Sequence, residues 1–427
     1  MTITQQDVWG ALEIDINNPE LLATELPPQY ACYYEESEDR PEMMPLFDSI
    51  VGQYGEGLLE KVLTYQMNGG KLVGTYCAHI PNELIYAAGA VPLGLCSANS
   101  TFAEMGEQYM PPNTCPLVRA SISARLAKAC PYAANADLLI GETSCDAKTK
   151  AWAIMDDDAE TDMHVIYLPK RKERSDFEHF KNELYIMIQK LEEVTGFEVT
   201  EESLRESIEI LNDRRRAINR MWSFRKGDVI PISGKDCLLV QECTNYIAPK
   251  QYAELVNQLC DELDERVERG INLVEEDTPR ILISGSPTGM QGWNINNMIE
   301  QSGGMVVAEE TCSSLRLHER LISEDADSID DMLEHTTDKY FNGIHCACFT
   351  PNVGRMDDLL RLSEEYQIDG VMDINLKFCQ IFDTENYFVS KALDEEGIPN
   401  IHLEVDYGDD SSGQMLTRIQ AFLEMIA

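Results

Sequence analysis

The sequence contains no C-x-x-C pair, and it is short of cations, with 34 lysines and arginines against 75 acidic residues and a formal net charge of −41. Without C-x-x-C, zinc ribbons and thioredoxin-like redox sites lose their signature. The acidic balance and the lack of a basic stripe argue against a nucleic-acid partner, which would be repelled. The acidity fits a well-solvated surface, or an acidic face that steers a basic partner protein. No segment approaches the ~20 apolar residues of a membrane span. The opening MTITQQDVWGALEIDINNPE has neither a basic start nor an apolar signal core, so a cytoplasmic location is expected. The loop SGSPTGMQGWN (284–294) follows a predicted strand but lacks the G-K-[ST] ending of a Walker loop. If ATP is used, another protein is expected to hydrolyse it.

What the chain does have is cysteine, thirteen of them. An odd count in a reducing compartment fits poorly with a disulfide framework. Buried structural thiols, a dispersed metal site, or both remain.

At 427 residues and 44% apolar, the chain is long enough for two or three domains with proper cores. Residues 1–65 read as irregular and then helical. From 66 to 173 the pattern alternates. KLVGTYC, VPLGLC, DLLIG and MHVIYLP read as strands; PNELIYAAGA, LVRASISARLAKAC and DAKTKAWAIM read as helices. Between 174 and 275 the apolar residues recur at helical spacing, with a polar break around 227–247. From 276 to 427 strands return: RILISGSP, GMVVAEE, GIHCACF, DGVMDINLKFC and NIHLEVD, among helices such as MDDLLRLSEEYQ. The expectation is two α/β domains with parallel sheets, joined by a helical segment.

On this map Cys77, Cys96 and Cys379 end predicted strands, Cys348 nearly does, and Cys145 sits in a strand-to-helix turn. The crevice beyond the carboxyl ends of parallel strands is where ligands bind. Cys115 precedes a Pro-started helix and Cys130 follows it. Thiols at helix N-termini gain thiolate character, which ligation requires. If the halves face each other, Cys115, Cys145 and Cys379 could converge. Soft thiolates without histidine partners favour iron–sulfur clusters over hard cations.

Several stretches resemble the 2-hydroxyacyl-CoA dehydratase and benzoyl-CoA reductase family: KLVGTYCAHIPNELIYAAGAVPLGLC, NTCP at 113–116, GETSCDAKTK at 141–150, and DGVMDINLKFC followed by GIPNIHLEVD. The resemblance implies two Rossmann-like domains with a helical part. It also implies a [4Fe–4S] cluster held by Cys115, Cys145 and Cys379, and electrons supplied by a separate ATP-hydrolysing iron–sulfur activator. GLC at 94–96, ACPY at 129–132 and CACFTPN at 346–352 resemble the family's double-cubane-cluster branch. That branch implies an [8Fe–9S] centre whose second triad is Cys96, Cys130 and either Cys346 or Cys348, with Cys348 preferred, and a homodimer. The expected activity is reduction of a small molecule. The alternatives are a 2-hydroxyacyl-CoA dehydratase subunit with one cluster, or a non-catalytic electron carrier.

The remaining candidates carry plainer readings alongside. Cys77 and Cys312 are balanced between lining the site and packing. Cys32, Cys237, Cys243 and Cys260 are expected to be structural. His79 and His345, next to cysteines, could donate protons or hydrogen bonds at the site, or be satisfied structural histidines. Glu83 could be a proton donor, although acids at helix N-termini are common for the dipole alone.

Overall fold

The computed structural model describes residues 39–52, 57–96, 98–158, 160–287, 289–407 and 412–427. Cys32 and most of segment 1–65 lie outside these. Within that segment the described residues form helices Met44–Gly52 and Gly57–Met67.

Two four-stranded, wholly parallel sheets organise the chain. The first contains β1 (Lys71–Thr75), β2 (Ala90–Gly94), β3 (Leu138–Glu142) and β4 (Met163–Ile166), in the order β2-β1-β3-β4. The second contains β5 (Arg280–Gly285), β6 (Met305–Glu310), β7 (Gly370–Leu376) and β8 (Asn400–Val405), in the equivalent order β6-β5-β7-β8. Both are the predicted α/β units. The central strands explain why parallel pairing wins: every residue of LLIGE in β3 and of GVMDINL in β7 is buried, as strands covered on both faces require.

The two halves are joined by helices Arg174–Thr195, Glu201–Ser223 and Pro249–Glu268. The middle one packs on helix Asn82–Ala87 of the first half and on Leu315–His318 of the second. It starts with a capping box in which Thr200 and Ser203 satisfy each other's backbone N–H.

Three local readings are corrected. The polar break at 227–247 contains a helix, Gly234–Glu242, whose N-cap Ser233 accepts from the Asp236 amide. The stretch GIHCACF is not a strand; residues 344–350 are irregular and turn-forming. Cys77, Cys96 and Cys379 lie beyond the strands rather than at their last residue, since β1, β2 and β7 end at Thr75, Gly94 and Leu376.

Gly285, at the end of β5, has φ +129° and its α-carbon faces the carbonyl oxygen of Ile374, where an added Cβ would lie 2.0 Å away. Close strand packing therefore accounts for this glycine of the 284–294 loop.

Candidate metal centre

The carboxyl ends of both sheets open on one cavity of ≈ 620 Å³. Cys77, Cys96, Cys115 and Cys145 line it from the first half; Cys312, Cys346, Cys348 and Cys379 line it from the second. The placement follows from topology: Cys77, Cys96 and Cys145 follow β1, β2 and β3, while Cys312 and Cys379 follow β6 and β7. All the described cysteines are free.

Three of these thiols share a local device. Cys115, Cys145 and Cys379 each occupy the N-cap position of a helix, Pro116–Leu126, Asp146–Asp156 and Gln380–Glu395. Pro116 at the first helical position fixes the entry into the first helix. Phe378, just before Cys379, has φ +63°, a left-handed conformation unusual for an aromatic residue.

Electrostatics divide the thiols. Cys115 and Cys379 are hydrogen-bond partners: Cys379 favours the Cys115 thiolate, and its own titration is pushed well up by sharing the proton. The Leu117 and Val118 amides reinforce the Cys115 thiolate. For Cys145 the helix N-terminus does not win, because burial raises the thiol's pKa despite nearby Lys148. Lys148 is itself fixed among the thiols, its Nζ 2.6 Å from Glu142 Oε1 and 3.1 Å from the Tyr76 carbonyl. Burial opposes ionisation of Glu142, yet Lys148 brings its carboxyl down to about 2. Opposite, Arg316 Nη1 lies 3.3 Å from Cys312 Sγ and is held by Glu310. Lys170 caps the carbonyls of Thr143 and Ser144 beside Cys145.

The donor set fits an iron–sulfur centre. Eight cysteines line one cavity, and buried cations stand beside them to balance anionic thiolates and sulfide. Cys115, Cys145 and Cys379 would hold one cluster.

The structure separates the other expected residues. Cys96, Cys346 and Cys348 reach the cavity; Cys130 does not line it, but caps helix Pro131–Asn135 and packs against the apolar core. Cys77 and Cys312, balanced in the sequence, both line the cavity. His79 is buried behind Cys346 and Cys348. Glu83 is fully buried and bound to Arg215 and Tyr340. His345 is not among the lining residues, and its Nδ1 lies 2.6 Å from Asp358 Oδ2. Cys237, Cys243 and Cys260 pack in the core. Lys148 and Arg316 were missed in the sequence, although each follows a cavity cysteine by one helical turn.

Among the described residues no helix is long and apolar enough to cross a membrane. Residues 77–426 match the family described as 2-hydroxyglutaryl-CoA dehydratase, D-component. The protein described as "Putative dehydratase subunit YjiM" of Escherichia coli (strain K12) is 34% identical over 392 residues, covering 90% of this chain and 99% of the relative. The (R)-phenyllactyl-CoA dehydratase beta subunit of Clostridium sporogenes is 22% identical over 84% of this chain and 93% of its own. A benzoyl-CoA reductase subunit of Thauera aromatica is 22% identical over 56% of this chain and 61% of its own. With its paired parallel sheets and a cavity lined by thiols, the chain belongs to the 2-hydroxyglutaryl-CoA dehydratase, D-component, family.

Proposed function

We propose that this chain is the cluster-holding, catalytic component of a dehydratase or reductase. It would receive low-potential electrons from a separate ATP-hydrolysing iron–sulfur activator and act on a small substrate in the cavity. The observation that carries the reading is the convergence of eight cysteines from both halves on one cavity. An iron–sulfur centre bound there supplies one-electron chemistry at low potential. The chain's own residues bind and tune it. Cys115, Cys145 and Cys379 would hold it from three helix N-caps, and Lys148 and Arg316 would offset its charge.

The finer reading is a double cubane, [8Fe–9S], in a cytoplasmic homodimer that reduces a small molecule. Thiol number favours it, because a cubane with three protein ligands leaves five of the eight cavity cysteines unused. Cys77, Cys96, Cys312, Cys346 and Cys348 are the thiols available to a second unit, whereas Cys130 is not at the cavity. The names of the relatives, beta subunits of acyl-CoA dehydratases, favour another reading, a subunit that works with a partner subunit on a 2-hydroxyacyl-CoA; in that reading the chain would carry one [4Fe–4S] cluster. In either case the division into 1–65, 66–173, 174–275 and 276–427 is part of the proposal, with the cavity between the second and fourth segments and also lined by Arg214, Arg215 and Gln241 of the third.

The test is turnover by anaerobically purified protein with an activator of this class, ATP and a low-potential reductant. Reduction or dehydration of a test substrate that needs all three supports the proposal. A centre that is reduced and reoxidised with no dependence on any substrate makes the chain an electron carrier.

A further inference from the structure

The turn bearing Cys346 and Cys348 meets His79, which stands in the loop after β1. One ring nitrogen of His79 and the two sulfurs all lie within 4.8 Å of one another. The three residues are 1%, 5% and 7% exposed. Nδ1 of His79 is 2.9 Å from the carbonyl oxygen of Tyr340. A carbonyl only accepts, so Nδ1 carries a hydrogen, which in the neutral ring leaves the lone pair on Nε2. Nε2 is buried with the Cys346 thiol as its neighbour and no conventional hydrogen bond closing on it, an arrangement that is costly for a polar atom unless a thiol or a metal satisfies it. Metal-bound histidines are oriented in this manner, with the second nitrogen donating to a carbonyl.

We propose that His79 Nε2, Cys346 Sγ and Cys348 Sγ form a site for one metal ion of the Zn²⁺ or Fe²⁺ class, with its fourth position open to the cavity. The proposal rests on the cavity being a metal centre, not on how many cubanes it holds. Spacing favours a single ion. Four ligands around one tetrahedral ion, at ~2.0–2.3 Å from it, lie roughly 3.5–4 Å from each other. The three donors here lie within 4.8 Å of one another, and an inward shift brings them to that spacing. The corners of a cubane, by contrast, turn their outer ligands away from one another, and three donors this close would crowd one face.

The turn is held in place by its surroundings. Lys172 Nζ donates to the carbonyls of Asn342 and Ile344 at 2.9 and 3.0 Å, and Asn352 Nδ2 donates to that of Cys346 at 2.9 Å. The His79 ring is flanked edge-on by Phe349 at 5.5 Å. Two thiolates and a dication make a neutral unit that can remain buried. Assigning Cys346 and Cys348 here leaves Cys77, Cys96 and Cys312 as the cavity thiols for a second cluster.

The test uses metal-free, anaerobic full-length protein titrated with Co²⁺ as a Zn²⁺ surrogate. Wild type is expected to show four-coordinate ligand-field bands, thiolate charge transfer, and one exchangeable imidazole N–H proton shifted far outside the normal NMR range. His79→Gln is expected to lose that proton and to weaken Co²⁺ binding at this site at least tenfold, while Cys145→Ala keeps both. Identical cobalt spectra and shifted protons in wild type and His79→Gln overturn the proposal. Should His79→Gln fail to fold, Cys348→Ala is read instead, and charge-transfer intensity equal to wild type overturns it. Reconstitution with iron and sulfide on ¹⁵N-histidine-labelled protein forms a separate arm. A ¹⁵N coupling on the cluster's electron-spin signal that depends on His79 overturns the single-ion assignment. Wild type that forms no cluster in that arm refutes the proposed function and leaves the cobalt result standing.

Discussion

Glu83 was a candidate proton donor in the sequence, and the structure predicts that its removal instead unfolds the protein more easily. Its Oε1 is 2.6 Å from Arg215 Nη2 and its Oε2 is 2.8 Å from the Tyr340 hydroxyl, while Arg215 also reaches Tyr340 at 3.0 Å. The side chains of the pair are 0% and 2% exposed. Burial alone would keep Glu83 protonated, yet Arg215 and Lys339 hold its carboxyl below the ordinary range. Arg214, Arg215 and Lys339 are all buried within reach of this one carboxylate. Deleting one partner of a buried pair costs about 3–5 kcal/mol because the other charge is left uncompensated. With the Arg214 and Arg215 guanidinium groups left behind, and burial already pushing the Lys339 ammonium well down, Glu83→Ala belongs at the upper end. Denaturant unfolding of the anaerobic protein, followed by tryptophan fluorescence, is the assay. Glu83→Leu with Arg215→Met should recover much of the loss, since an apolar replacement of the whole pair leaves no orphan charge. A Glu83→Ala protein within about 1 kcal/mol of wild type but without turnover would refute this reasoning and return Glu83 to the chemistry.

Two further outcomes are expected. Glu309 is 3% exposed and burial pushes its carboxyl up to about 7. The folded state therefore holds a proton that the unfolded chain releases, and stability falls as pH rises from about 4.5 to 7. The full difference is about 3 kcal/mol at 1.36 per pKa unit. Glu309→Gln should reduce that slope in pH-dependent melting, the remainder coming from Glu242 and Glu300, which burial also raises to about 7, and an unchanged slope rejects the assignment. Gly285→Ala would drive a Cβ into the Ile374 carbonyl and should destabilise the β5–β7 pairing, read as faster amide exchange across Ile281–Ser284; unchanged exchange there would contradict the packing argument.

The strands and the crevice were legible in the sequence because both sheets are parallel and covered on both faces. Such strands are short apolar runs bounded by turn residues, as DLLIGE and GVMDINL show, and topology then sends their carboxyl ends to one side. The same rule failed at GIHCACF. Cys, Ile and Phe are buried there as in a strand, but the segment pairs with nothing, and burial without pairing looks identical in one dimension. Helix Gly234–Glu242 was lost in polar company although Ser233 and Asp236 form its start signal. Cys130 was grouped with the second triad by the resemblance of ACPY at 129–132 to the double-cubane branch, and it does not line the cavity. Such a local match says nothing about which way a side chain faces after the chain turns. The meeting of His79 with Cys346 and Cys348 was not legible at all, since it depends on the packing of two halves.

The central claim, an iron–sulfur centre held by Cys115, Cys145 and Cys379, is tested most directly by counting iron and acid-labile sulfide in anaerobically purified wild type and Cys145→Ala. The account predicts about four irons per chain for one cubane or about eight for two, with cluster absorbance lost in the variant. Iron-free wild type filled with zinc, or a Cys145→Ala protein with undiminished iron and absorbance, would contradict it.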